Sequence, residues 1–371
     1  MRRVSFVLVA GVLWGSVVPV VPVGAAEPAP WRQVMSTNLR GNDRFEALAV
    51  ASRRSAWVFG TRVRLVDGGQ REIPELIAYH WNGKRWTRSR LPSGVPADLP
   101  DIYNSNHYSP SGLSASSERN AWAVTLDDAG PPRVLRWNGS AWRLSKVARK
   151  GGPVVAVAAY GRDKALAFGR GGRTWVFEKG RWRAGKRLPF PVWQTSSDGK
   201  RVWVQAVVKK KLTVARWDGK SWRTLPATGV AISSPDAIGA FKAWPGGRVT
   251  VTANGGTRGV FLTWTGGAWS RDRSEVVADK VMRCLAADGR GGLWAMPDGL
   301  EAMDDSPRTL WHRDSRGRWT LSWKAAASGT DSAQRPEDCA AVPGTKKVWS
   351  VGEDTEHDWD TDGTLRELVL A

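Results

Sequence analysis

Short apolar runs recur along the chain, each bounded by turn-forming residues. Ala121-Trp122-Ala123-Val124 is one, preceded by Ser117-Glu118-Arg119-Asn120 and followed by a polar stretch from Asp127 to Pro132. Runs this short, rich in aromatic and β-branched residues and flanked by Gly, Asn, Asp and Ser, read as strands rather than helices. Between Ser111 and Leu144 the pattern predicts four strands: Leu113-Ser114-Ala115, Ala121 to Val124, Arg133 to Trp137, and Ala141 to Leu144. Asn138-Gly139 joins the last two and is a strong hairpin signal, because both central residues of a tight hairpin turn need positive φ. A two-residue turn would place the flanking tryptophans diagonal to one another on one face of the hairpin.

The same grammar repeats. Two aromatics bracket a turn at Trp81 to Trp86, Trp137 to Trp142, Phe177 to Trp182, Trp217 to Trp222, Trp264 to Trp269 and, stretched, Trp311 to Trp319. Strands equivalent to Ala121–Val124 begin near Ala56, Ala165, Val202, Arg248, Leu293 and Val348, which makes seven such strands against six two-aromatic hairpins. A repeat of this size means a stacked or circular array. The last unit stops at its third strand, Leu365 to Leu370, and Trp31-Arg32-Gln33-Val34 has the character of the missing fourth. The expectation is an all-β chain: a seven-bladed ring of four-stranded blades, one domain over 27–371, with the N-terminal strand 31–36 completing the blade at 336–371. Closure would leave no long exposed sheet edge. An open solenoid is the alternative.

The Ala-Trp-Ala-Val and Trp-Asn-Gly-x-x-Trp patterns resemble the secreted β-propeller repeats of actinobacteria and, more distantly, kelch and galactose-oxidase-type propellers. The resemblance covers nearly all of 27–371 and implies a β-propeller fold. It implies little about activity, since propellers host many unrelated functions. Most of the 23 tryptophans fall at repeat positions and are assigned to the core, not to ligand stacking.

Residues 1–26 read as a signal peptide: Arg2 and Arg3, an apolar stretch from Val4 to Val23, then small residues at Gly24-Ala25-Ala26. The expected location is extracellular. Two cysteines in an exported chain suggest one disulfide. Cys284 and Cys339 each lie ten residues before a repeat tryptophan, Trp294 and Trp349, and so read as equivalent positions in consecutive units. The formal charge is +20, which favours anionic partners and speeds encounter with them.

Candidate chemistry gathers on the second-to-third-strand loops and the links between units. Asp358-Trp359-Asp360-Thr361-Asp362-Gly363 spells D-x-D-x-D-G, a spacing that aims alternate carboxylates at one point and suits calcium, although its twelfth position is Val369 rather than Glu. The link from Pro92 to Pro110 carries Tyr103, Asn104, Asn106, His107 and Tyr108, aromatic planes with amides that suit a sugar or flat polar ligand. Lys209-Lys210-Lys211 on another loop could touch an anionic polymer. The chain has four histidines and no phosphate loop, zinc-ligand spacing or nucleophile elbow. The reading is a monomeric, non-catalytic binding or scaffold module for a cell-envelope glycan, an anionic polymer or another protein, with no catalytic residues assigned. The competing class is a carbohydrate-active hydrolase or lyase working through loop acids such as Asp304 and Asp358.

Overall fold

The computed structural model describes residues 32–36, 44–67, 71–93, 95, 112–125, 131–150, 152–232, 237–254, 259–278, 280–297, 309–324, 333–355 and 361–369. Among these, the strands form seven four-stranded antiparallel sheets. Six sheets are each made of four consecutive strands, at 44–88, 113–146, 154–184, 194–224, 238–272 and 282–324, numbered here as blades 1 to 6. The remaining sheet is a composite: Ala333–Ala341, Lys347–Thr355 and Thr361–Val369 from one end of the chain, with Arg32–Ser36 from the other at its outer edge. Arg32 faces Glu367 and Ser36 faces Thr364 in that joint. The expectation of seven blades is thereby corrected: six blades are complete in themselves, and the remaining sheet is not a seventh blade of consecutive strands but a composite of the two ends of the chain.

Adjacent sheets touch through their first strands, and the composite sheet touches both blade 6 and blade 1, so the array closes into a ring with the first strands innermost. Seven hydrophobic clusters fill the seven interfaces between neighbouring sheets. In three of them an aromatic on the second strand of one sheet meets both aromatics on the third and fourth strands of the next. Trp57 packs edge-on against Trp137 and Trp142, with centroids 5.8 and 6.4 Å away. Trp122 meets Phe177 and Trp182 at 4.7 and 5.2 Å. Trp349 of the composite sheet meets Trp81 and Trp86 at 5.4 and 5.3 Å, which seals the joint with blade 1.

The hairpins that carry these pairs differ from the sequence expectation. Trp81 and Trp86, Trp137 and Trp142, and Trp217 and Trp222 sit directly opposite one another, not diagonally. Four residues separate them, and only the glycine of each turn takes positive φ, as at Gly83 and Gly139. The Asn or Asp before it works through its side chain instead: Asn82 Oδ1 accepts hydrogen bonds from the amides of Lys84 and Arg85, and Asp218 Oδ1 from those of Lys220 and Ser221. This turn uses the Asx side chain as a backbone mimic. A genuine two-residue turn does occur at Lys209-Lys210, where both lysines take positive φ, 49° and 59°.

Cys284 and Cys339 are bonded, joining the first strands of blade 6 and the composite sheet. Their positions are not equivalent, however. Cys284 pairs with Met296, two beyond Trp294, while Cys339 pairs with Ser350, one beyond Trp349. Successive side chains of a strand point to opposite faces. Equivalent positions would aim both sulfurs the same way round the ring; the one-residue stagger turns them toward each other. The bond also lies where the aromatic clamp is altered: Leu368 stands opposite Val348, in the place that Trp81 holds in blade 1. Converting both cysteines to alanine should lower the unfolding free energy by about 4 kcal/mol, as chain-entropy reasoning gives for a loop of 55 residues. Urea unfolding with and without the bond measures this, and equal midpoints would show that the interface holds without it.

Candidate functional site

The inner edge of each first strand has amide and carbonyl groups with no strand to pair with, and side chains from neighbouring blades satisfy several of them. Ser114 Oγ accepts the amide of Ala159 at 2.9 Å, and Ser196 Oγ accepts that of Ala243 at 2.9 Å. These are the same bond in two places, since Ser114 and Ser196 both stand opposite the second-strand tryptophan of their blade. Thr195 Oγ1 donates to the Val157 carbonyl, and Thr252 Oγ1 to that of Met282. Unpaired buried backbone groups are costly, so these short polar side chains fix how one blade seats on the next.

At the composite sheet this role falls to a carboxylate. Asp338 is buried; its Oδ2 accepts the amide of Leu48 in blade 1 at 3.0 Å, and its Oδ1 that of Cys339 at 2.8 Å. Burial pushes the Asp338 carboxyl above the usual carboxylate range, over the opposing pull of Lys242 and the two amides. Lys242, on the first strand of blade 5, reaches past blade 6 to donate to the Cys339 carbonyl at 3.2 Å. Lys242 holds the place that serine holds in blades 2 and 4. The entrance to several first strands is bulged at one position, leaving Glu46, Arg283 and Glu337 outside the ladder in blade 1, blade 6 and the composite sheet. A bulge bends and twists the strand and re-aims its side chain. Charged residues thus mark the first strands of three consecutive sheets on the loop-rich side of the ring.

A second pattern lies between the blades. Wherever blades 1, 2, 4 and 6 carry a second-strand tryptophan, the residue opposite on the third strand is His or Arg: His80, Arg136, Arg216 and His312. His80 stacks on Trp57 at 5.3 Å and His312 on Trp294 at 4.4 Å. Arg136 lies over both Trp122 and Phe177, at 5.4 and 4.6 Å, and Arg216 over Trp203 at 5.5 Å. Burial lowers the His80 pKa, favouring the neutral ring, and His80 Nε2 and Ser55 Oγ are hydrogen-bonded at 3.1 Å. His312 bonds Asp288 at 2.9 Å. Burial alone would raise the Asp288 carboxyl, but His312 and the amides of Arg290 and Gly292 together hold it below its ordinary value.

Tyr103, Asn104, Asn106, His107, Tyr108, Asp304, Asp358 and Asp360 fall outside the described residues. Asp362 lies in the third strand of the composite sheet opposite Asp354, and Gly363 opposite Glu353. Among the described residues no three or more His, Cys, Asp or Glu side chains gather as metal ligands would, and no helix is long and apolar enough to cross a membrane. The polar wall of the ring, Lys242 and Asp338 above all, was not anticipated. The available signal was a lysine and an aspartate inside otherwise apolar first-strand runs.

No family model matches the sequence, and no curated protein matches it significantly. Solved structures do. YCF48 bound to a D1 peptide superposes with a TM-score of 0.58 at 14% identity, covering 93% of this chain and 100% of that one. Virginiamycin B lyase from Staphylococcus aureus gives 0.55 at 11% identity, over 91% and 98%. U3-55K gives 0.54 at 10% identity, over 92% and 100%. The chain is a β-propeller. At these identities the likeness extends to the fold alone.

Two measurements follow for the propeller. Trp122→Ala should cost about 3–5 kcal/mol, as loss of a buried indole does, whereas Arg136→Ala, which removes the cation over it, should cost about 1–2 kcal/mol; denaturant titration ranks them, and equal losses would mean that Arg136 is the true wedge. Asp338 makes a pH-dependent contribution of defined sign. The folded propeller keeps its proton to higher pH than the unfolded chain, so stability from this group is fully present below the unfolded carboxyl pKa and is lost as pH rises through the raised folded value. Asp338→Asn should remove that part of the slope in unfolding midpoints measured as pH rises above the unfolded carboxyl pKa, and an unchanged slope would show that Asp338 does not carry it.

Proposed function

We propose that the protein is an exported, non-catalytic binding scaffold for an anionic partner: a cell-envelope glycan, an anionic polymer or an acidic protein surface. The observation that carries this reading is the charge: +20 over the full sequence, +18 without residues 1–26, on a closed β-propeller whose apolar residues are largely committed to the seams between blades. A charge excess of that size draws polyanions through long-range attraction. The disulfide between Cys284 and Cys339 favours an oxidising compartment, in keeping with a signal segment at 1–26. Structural neighbours lend support of a limited kind, in that one of them, YCF48, is seen holding a peptide.

The reading is tested by titrating the protein, without residues 1–26, into fluorescent long-chain polyphosphate and polygalacturonate, with dextran as a neutral control. Both anionic polymers should bind at low salt, with affinity falling steeply as sodium chloride rises through the range where the Debye length drops below about 10 Å. Dextran should not bind. Equal retention of all three polymers, or of none, would overturn it.

A further inference from the structure

We infer that an extended polyanion docks on the short-turn face of the propeller, the side opposite the long loops. This rests on the proposed binding of anionic partners and specifies its surface.

Antiparallel order within each sheet puts the turns between first and second strands, and between third and fourth strands, on one side. Contacts between neighbouring blades, and between the two turns of one blade, show that these turns lie together around the ring. The Gly161 amide donates to the Gly199 carbonyl of the next blade at 2.7 Å and Ser52 Oγ to Glu118 of the next blade at 2.6 Å, while within blade 1 Trp81 Nε1 donates to the Arg53 carbonyl at 3.0 Å. Exposed cations occupy this side in nearly every sheet: Arg54 in blade 1, Arg119 in blade 2, Lys179 in blade 3, Lys220 in blade 4, Arg290 in blade 6 and Lys346 in the composite sheet. Blade 5 has glycine-rich turns, Pro245-Gly246-Gly247 and Thr265-Gly266-Gly267, and its exposed cation, Arg248, stands at the start of its second strand.

Several acids on this side already have cationic partners. Asp198 pairs with Arg201, Asp314 with Arg318, and Asp288 with His312, while Glu178 is shared by Lys164 and Arg183. The six cations named above are not among those partners. Two are held in place by their stems: Arg54 and Arg119 each run 3.4 Å from where a Cβ on Gly83 or Gly139 would sit, so the positive-φ glycine of one turn seats the arginine of the other. This repeated seating lowers the entropy lost when the guanidinium engages a ligand. The cations are spread one blade apart along an arc, not gathered in a cleft. Such spacing suits a ligand whose negative charges are distributed along its length, whether phosphodiester-like or carboxylate, and arginine pairs with either group in bidentate fashion.

The test compares two charge-reversal variants using the same two polymers. One carries Arg54→Glu, Arg119→Glu, Lys220→Glu and Arg290→Glu on the short-turn face; the other carries Lys209→Glu, Lys210→Glu and Lys211→Glu on the loop-rich face. The first should weaken binding by about a hundredfold at low salt, and the second by no more than about threefold. Glutamine at the same four positions should weaken binding by about tenfold and keeps the test readable if the reversal variant does not fold. Retention by the short-turn variants with loss by the loop variant would overturn this assignment and leave the binding function standing. Absence of binding by the unaltered protein would bring down both. Preference for polyphosphate over polygalacturonate, or the reverse, identifies the anion the arc recognises.

Discussion

The clamping of one sheet's second-strand aromatic by its neighbour's aromatic pair is the contact on which the ring depends. It explains why the hairpin must set its two tryptophans directly opposite one another: only then do both indoles reach the same ring across the seam. It also explains the Asn or Asp before the glycine in those turns, because the side chain that caps two amides fixes the loop length that sets the pairing. Each seam is thereby a local unit, and a fold assembled from such units tolerates wide sequence change elsewhere. Structural neighbours of similar architecture at 10–14% identity fit that view.

The seams on either side of the composite sheet need other means. Toward blade 1, Trp349 still lies between Trp81 and Trp86, and Asp338 adds a carboxylate that caps the Leu48 amide. Toward blade 6, Leu368 takes the tryptophan place and the disulfide supplies the tether. Lys242 reaches the same strand from blade 5. Covalent and polar contacts thus converge on one strand, Ala333–Ala341, where the Asp338 carboxyl group faces backbone amides rather than solvent.

The repeat was legible because tryptophan, glycine and Asn or Asp recur at fixed offsets, and each has a distinct physical role. The joining of Arg32–Ser36 to the chain's far end was legible from a count of strands, and the cysteine pairing from the presence of just two cysteines. What escaped was register. The sequence spacing of Cys284 and Cys339 is identical, yet turns of different length shift one of them by a residue, and no local pattern reveals that. The His and Arg partners of the second-strand tryptophans escaped for a related reason: His80 and Arg136 look like ordinary polar members of alternating strands until the pairing sets them over an indole. Most residues expected to bind ligands lie on long loops, where composition suggests chemistry but periodicity gives no geometry.

The joint between Arg32–Ser36 and Thr361–Val369 has a consequence for biogenesis. The two partners lie more than three hundred residues apart in sequence, so closing this contact carries the largest loop entropy in the molecule and belongs at the end of assembly. A polypeptide delivered in order from its amino terminus must hold its first strand unpaired until the last one arrives. During that interval the half-made edge of the array is open, and whatever shields it governs the yield of intact rings.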